Sequence, residues 1–402
     1  MKSNNPVLRF HEFNENWVSR SIEELAKEFL GGGTPKTTIS EFWNGEIPWI
    51  QSSDLTNHKV YGFTSKKKIN SLAIKNSATK IIPKDSIAIV TRVGVGKIAL
   101  FEHPYSTSQD FLSLSELNID KWFGVYLLYN KLQKELKQVQ GTSIKGITKS
   151  ELLRKNVSLP EINEQIKLGD FFKKLDDTIS LHQQELEALK QTKQGFLQKM
   201  FPKKGEILPQ LRFKEFDGPW SHCKLKNLGE IKTGATPSTG NIDNYSEEGM
   251  LWITPTDIKG RVTKNSAKKL SLKGQEKARI VEPYSILVTS IASIGKNTMV
   301  ESYASFNQQI NSLTPFKSND SYFLLTQSYF WSKEMKNKAA SGTMQIVNKS
   351  EFSEMSFLVP EKKEQIKIGE FFKQLDKVIE LKEKEIEALK ETKKGFLQKM
   401  FV

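Results

Sequence analysis

EQIKLGDFFKKLDDTI at 164–179 and ELEALKQTKQGFLQKMF at 185–201 return almost letter for letter as EQIKIGEFFKQLDKVI at 364–379 and EIEALKETKKGFLQKMF at 385–401. Stretches 161–201 and 361–401 are therefore two copies of one element. In the first copy, apolar residues fall at Leu168, Leu175, Leu189 and Phe196, and again four places on at Phe172, Ile179, Leu186 and Met200. The second copy repeats the pattern with Ile368, Leu375, Leu389 and Phe396 against Phe372, Ile379, Ile386 and Met400. That 4-3 spacing is a heptad seam. Its interruptions recur too, since His182 and Lys193 stand where Lys382 and Lys393 stand. A polar residue at a seam position more often fixes register than binds a ligand. Each copy reads as one long helix of roughly 35 residues, about 50 Å at 1.5 Å per residue. A single helix of that length has no core of its own, so the two copies are expected to partner each other.

Outward from the helices, the duplication covers the whole chain. LRFHEFNENW at 8–17 answers LRFKEFDGPW at 211–220, and Gly32-Gly33-Thr34-Pro35 answers Gly234-Ala235-Thr236-Pro237. Pro48-Trp49-Ile50 through Asp54-Leu55 matches Leu251-Trp252-Ile253 through Asp257-Ile258, loop–strand–turn pairs in which both tryptophans sit in apolar runs and read as core. A β-branched run, Ile87-Ala88-Ile89-Val90-Thr91, leads to Gly96-Lys97; its partner, Ile286-Leu287-Val288-Thr289-Ser290, leads to Gly295-Lys296. Ser108-Gln109 answers Asn307-Gln308, an aromatic helical stretch over 122–136 answers 322–338, and Gly141-Thr142-Ser143 answers Gly342-Thr343-Met344. Between these shared elements most positions differ. Short strands with a helix or two suggest α+β globules of ordinary domain size. The organisation expected is a globule over 1–160, a helix over 161–201, a linker over 202–210 carrying Pro202, Gly205 and Pro209, a second globule over 211–360 and a second helix over 361–402.

The formal charge of +14 is not spread evenly. Stretch 1–160 holds 22 Lys and Arg against 15 Asp and Glu, and 202–360 holds 21 against 15, whereas 161–201 comes to −1 and 361–401 to +2. The excess sits in the globules, in nearly equal shares, which points to a polyanion touching both. No run of eighteen apolar residues and no signal-peptide core occur, and the one cysteine, Cys223, lacks any partner for a disulfide or metal site. A cytoplasmic, reducing location is expected.

Catalytic signatures fail on inspection. Neither Gly-Lys pair makes a P-loop, because Thr91 and Ser290 stand where its first glycine belongs. Gly94-Val95-Gly96 lacks a third glycine and faces Ser293-Ile294-Gly295 in the sister copy. The histidines, His11, His58, His103, His182 and His222, have no metal-ligand spacing. No catalytic residue and no metal ligand can be named, which leaves binding as the chain's own activity.

Pro160 followed by Glu164-Gln165-Ile166, Pro360 followed by Glu364-Gln365-Ile366, the closing run at 195–201 with its copy at 395–401, and the paired Gly-x-Thr-Pro openings together carry a resemblance. The chain resembles the specificity subunit of Type I restriction-modification systems over essentially its whole length. The resemblance implies two tandem α/β target-recognition domains joined by two long helices in an antiparallel coiled coil, a pseudo-two-fold internal repeat. It further implies a non-catalytic adaptor for double-stranded DNA that reads one half of a split, asymmetric site with each domain and uses the helices as a ruler. Its partners would be two methyltransferase subunits and, through them, restriction subunits. No cofactor would be bound by this chain; S-adenosylmethionine, ATP and Mg²⁺ would belong to those partners.

Candidate DNA contacts are donors on loops and strand ends that differ between copies: Lys66, Lys67, Lys68, Arg92 and Lys97 in the first globule, and Lys268, Lys269, Lys273 and Lys296 in the second. Lysines mostly meet phosphates. Base readers are Gln109, Gln308 and Gln309, whose amides suit adenine, and Arg92, whose fork suits guanine. The outward helix faces, with Phe171, Phe371, Ile166 and Ile366 beside the seam, are candidates for gripping the methyltransferases or for completing the helices' own packing. Two rival readings are a DNA-modifying enzyme with an unrecognised active site and a coiled-coil protein whose basic globules bind acidic proteins.

Overall fold

A computed structural model of the chain describes residues 5–138, 146–341 and 346–402. The glycine turns at 141–143 and 342–344 lie outside the described residues. The chain divides into two compact units, one of residues 1–183 and 385–402, the other of residues 184–384.

In the first unit the buried run Ser86–Val90 is the centre of an antiparallel sheet, flanked by Phe111–Leu117 and Ile98–Phe101, with Ala26–Gly31 beyond. All five residues of Ser86–Val90 are buried, as a strand covered on both faces requires. A smaller sheet sets Ile47–Ile50 between Lys67–Ile69, antiparallel, and Ser106–Thr107, parallel. Helix Lys121–Gln138 closes the core over the larger sheet, and Val18–Ser21 pairs with Asn156–Leu159 at the globule's exit. In the second unit Ile286–Thr289 takes the central place, between Ile310–Pro315 and Asn297–Val300, and helix Ser321–Ser341 covers it. Its smaller sheet sets Tyr245–Ile253 between Lys268–Leu270 and Ala304–Phe306, and Ser221–Lys224 pairs with Ser356–Val359.

The two repeats, one in the middle of the chain and one near its C-terminal side, form helices Ile162–Lys199 and Lys362–Lys399. Each unit contains the beginning of one and the end of the other. In the first unit Phe171 meets Phe396 at 5.2 Å, Asp176 accepts from Lys393 at 2.6 Å, and His182 lies 3.1 Å from Glu385. In the second, Phe196 meets Phe371 at 4.9 Å, Lys193 pairs with Asp376, and Glu185 pairs with Lys382 at 3.0 Å. Numbers rise on one helix as they fall on the other, so each unit holds an antiparallel pair. Seam residues Leu168, Phe172, Ile179, Ile368, Phe372, Ile379 and Ile386 are buried, and Leu175, Leu186, Leu189, Leu375 and Leu389 half-buried.

The helix beginnings are also part of the globule cores. Leu168 and Phe172 pack in one cluster with Trp17, Phe123 and Tyr126, and this cluster takes in Leu397, Met400 and Phe401. Leu197, Met200 and Phe201 do the same for Trp220, Phe323 and Phe372 in the second unit. The Glu-Gln pair at each helix start has a definite task. Glu164, with no side-chain exposure, accepts two hydrogen bonds from Arg9, at 2.8 and 2.7 Å, and Glu364 accepts the same two from Arg212. These bidentate bonds hold both arginines above their usual pKa. Gln165 accepts from the Asp120 backbone at 3.1 Å and donates to Pro160 at 2.9 Å; Gln365 does so with Asp320 and Pro360 at 2.9 and 3.0 Å. Glycine follows at 169 and 369 because the globule helix starts there: a Cβ on Gly169 would come within 2.6 Å of Asp120 Oδ1 and 2.7 Å of the Phe123 nitrogen. The seam lysines are register pins. Lys393 reaches Asp176, which also accepts from Tyr126 at 2.7 Å; Lys193 reaches Asp376, which accepts from Tyr322 at 2.9 Å. Burial raises both phenol pKa values and lowers that of Lys193.

Candidate nucleic-acid interface

In both globules four loops meet at one edge where the smaller sheet joins the larger, and the bonds that fix them are the same twice over. The first loop is Gly-x-Thr-Pro. Gly33 N donates to Thr107 O at 2.9 Å, and Ala235 N to Phe306 O at 2.9 Å. Buried Trp49 donates from Nε1 to Gly33 O at 2.9 Å, and Trp252 to Ala235 O at 3.1 Å. A second aromatic holds the loop's far side: Trp43 Nε1 donates to Lys36 O at 3.3 Å, and Tyr245 OH to Pro237 O at 2.7 Å. Gly32 and Gly234 press so closely on the 107–108 and 306–307 backbones that a Cβ would overlap Ser108 O or Asn307 O. Thr34 then donates its hydroxyl to Gln109 Oε1, and Thr236 to Gln308 Oε1, all four side chains being exposed.

The second and third loops are joined by the Gly-Lys lysines. Lys97 Nζ donates to Ser52 O at 2.8 Å, and Lys296 Nζ to Pro255 O at 3.2 Å. Asp54 accepts from Gln51 N and Asp257 from Thr254 N, both at 2.9 Å, to close the turn that supplies that carbonyl. The fourth loop is the turn bearing the glutamines: Thr91 N donates to Asp110 O and Ser290 N to Gln309 O, each at 2.7 Å. Gln309 spends its amide oxygen on Asn307 at 2.9 Å inside this turn.

The strand lysines fall into two kinds. Lys67, opposite Trp49 in register, lies over the rings of Trp43 at 5.2 Å and Trp49 at 5.8 Å; Lys268, opposite Trp252, lies over Tyr245 at 5.3 Å. Such a contact orients the ammonium and is worth about 0.5–1 kcal/mol when exposed. Lys68 is paired with Glu46 at 2.8 Å and Lys273 with Asp243 at 2.8 Å, so their charges are partly met within the fold. Lys66 and Arg92 are exposed and Lys269 is half-buried. The cluster thus offers oriented donors and positive charge: a cation above an aromatic pair, an amide held by a hydroxyl, and in the first unit an exposed guanidinium. Trp43 and Tyr245 were not singled out by the sequence, and Thr34 and Thr236 stood out there only as part of the paired Gly-x-Thr-Pro openings, not as site residues.

Along the helices, Phe171 packs on Phe10, Phe172 and Phe396, and Phe371 on Phe196, Phe213 and Phe372. Ile166 and Ile366 stay exposed, as do Leu181 at 55% and Leu381 at 56%, which occupy the same place in the two copies. Among the described residues no helix is long and apolar enough to cross a membrane, and no group of three or more His, Cys, Asp and Glu is placed to hold a metal ion.

The family model of the Type I restriction modification DNA specificity domain matches the chain twice, over residues 14–191 and 218–391. The Type I restriction enzyme MjaIX specificity subunit of Methanocaldococcus jannaschii is 27% identical over 234 residues, 55% of this chain and 53% of that protein, about half the relative's length. The putative MjaX specificity subunit of the same organism is 22% identical over 410 residues, 96% of this chain and 93% of that one. Among solved structures, the S subunit of a Type I restriction-modification system from M. genitalium shares the fold with a TM-score of 0.67 at 16% identity, covering 99% of both chains. A chain from a structural study of complex assembly and conformational transition in the type I R-M system gives 0.58 at 15%, covering 97% of this chain and 98% of that one.

Proposed function

The chain belongs to the Type I restriction-modification DNA specificity family, and from that premise we propose that it reads a bipartite, asymmetric DNA site, one half-site per globule, without catalysing a reaction itself. The observation that carries this is the loop cluster, built twice on one set of bonds but bearing different exposed side chains, in two segments that hold nearly all of the net positive charge. Two unlike readers on one chain suit two unlike half-sites better than a palindrome.

Lys67 and Lys268 position the protein on phosphates, with Lys66 and Lys269 adding charge. Lys68, Lys97, Lys273 and Lys296 hold the loops that carry the readers. The long helices set the distance between half-sites: 38 residues each correspond to about 57 Å, or about one and a half turns of DNA at roughly 34–36 Å per turn. Their exposed apolar positions, Ile166, Ile366, Leu181 and Leu381, repeated in both copies, offer two equivalent seats for two identical methyltransferase subunits, with restriction subunits joined through them. S-adenosylmethionine, ATP and Mg²⁺ serve those partners.

Methylome sequencing of the host with and without this gene tests the reading. The expected result is one split motif, of two different halves and a fixed spacer, that loses adenine methylation when the gene is deleted. An unchanged methylome in a host with an active methyltransferase partner would sink it.

A further inference from the structure

Because the two globules are built on one frame, each is a control for the other: a group the frame places identically in both cannot tell two unlike half-sites apart. Pinned identically are Gln109 with Thr34 and Gln308 with Thr236. Between the pins Thr91 and Lys97, and between Ser290 and Lys296, the residues differ at every place except the closing glycine. The pins themselves correspond closely: Val90 N to Lys97 O at 3.0 Å and Thr289 N to Lys296 O at 2.9 Å, Ile147 N to Thr91 O at 2.8 Å and Val347 N to Ser290 O at 3.0 Å. Gly96 and Gly295 close both loops with φ of 96° and 81°.

Inside the pins the first globule carries Arg92-Val93-Gly94-Val95 and the second Ile291-Ala292-Ser293-Ile294. Arg92 and Val93 are exposed, Val93 at 71%, and Gly94 takes φ of 89°. In the second loop Ala292, also exposed, is the residue forced to positive φ, 62°, a conformation a Cβ disfavours. An exposed apolar side chain and a left-handed alanine, on loops whose ends are bonded into the fold, mark these tips as held out for contact.

Resting on the DNA-reading role proposed above, we propose that the tips 92–95 and 291–294 determine which base pairs each half-site contains, while Gln109 and Gln308 make a contact common to both half-sites. Arg92 supplies a fork for a guanine edge, and the second tip, with no donor beyond Ser293, reads by apolar contact. The glutamines, their oxygens held by threonine, present amide hydrogens to a feature both halves share.

Selection of bound duplexes from a randomised pool by the full-length chain, together with its methyltransferase subunits, tests this. Wild type is expected to enrich a split motif. Replacing 92–95 by the residues of 291–294 should change only the first half; Arg92→Lys should lower preference there by about tenfold or more, since one amine cannot fork. Gln109→Ala should weaken binding to every enriched duplex by a similar factor and leave the motif as it was. The inference is overturned if the graft, melting like wild type, keeps the original motif, if Arg92→Lys leaves the preference intact, or if Gln109→Ala alters the motif. A wild-type complex that enriches nothing overturns the DNA-reading role and this inference with it.

Discussion

At the scale of single residues, the Arg–Glu clasps do most to explain the repeated Glu-Gln. Glu164 and Glu364 have no solvent exposure, and each is matched by two bonds from one arginine. Removing one partner of such a buried pair costs about 3–5 kcal/mol, because the other charge is left without compensation. Glu164→Gln and Glu364→Gln are each expected to lower unfolding free energy by about 3 kcal/mol in denaturant titration; a loss under 1 kcal/mol would mean water reaches the arginine. Asp120 behaves differently. Burial raises its pKa while it caps the Phe123 nitrogen at 2.8 Å. A carboxyl with a raised folded pKa stabilises most when protonated, and its contribution falls as pH climbs through and above the usual carboxylate range. Asp120→Asn keeps the acceptor and removes the ionisation, so the variant should gain stability at pH 7 relative to pH 4 when compared with wild type, read by denaturant titration at the two pH values.

At the scale of elements, the seam pins make a demand on any change of helix length. Lys393 must meet Asp176 in one unit and Lys193 must meet Asp376 in the other. Seven residues added to both helices, between 183 and 189 and between 383 and 389, preserve every pin; the recognised spacer should then lengthen by about 10 Å, or about three base pairs, read as a shift in methylated motif spacing. Seven residues in one helix alone should lower melting temperature instead.

The helices and their pairing were legible because a 4-3 period repeated over 38 residues leaves little choice. The central strands were legible for a similar reason, as Ile87-Ala88-Ile89-Val90 is β-branched and unbroken by charge. The loop cluster was less so. Lys97 and Lys296 looked like DNA donors, yet each spends its ammonium on a carbonyl over forty residues away in sequence, a proximity no local pattern records. Trp43 and Tyr245 escaped because they share a role without sharing a residue type. Phe171 and Phe371 stood beside the seam by period, and only packing reveals that Phe10 and Phe213 cover them.

At the scale of the whole molecule, the two-reader proposal predicts modularity. Exchanging residues 220–360 for the corresponding segment of another family member should change one half of the methylated motif and leave the other half and the spacer as they were. Motif sequencing after exchange measures this, and a change in both halves would mean the globules do not read separately. The exchange leaves Arg212, Glu364, Gln365 and Gly369 in place, so the Arg–Glu clasp is kept and the graft must bring its own Asp at the position of Asp320.

The core of the first unit is completed by Leu397, Met400 and Phe401, with Phe401 against Trp17 and Phe123. On the ribosome this reverses the order of synthesis. The second unit, an unbroken run of 184–384, has all its parts while the first still lacks the phenylalanine at its centre. Trp17, Leu168 and Phe172 therefore wait, half-covered, through the translation of more than half the chain. At about 5–20 residues per second that interval is on the order of 10–40 s. During it the first globule is exposed to chaperones, proteases and other copies of itself, so residues 397–401 act as the latch that ends its vulnerability. Loss of those residues should show first as aggregation during expression, with the damage confined to the half of the protein that was made earliest.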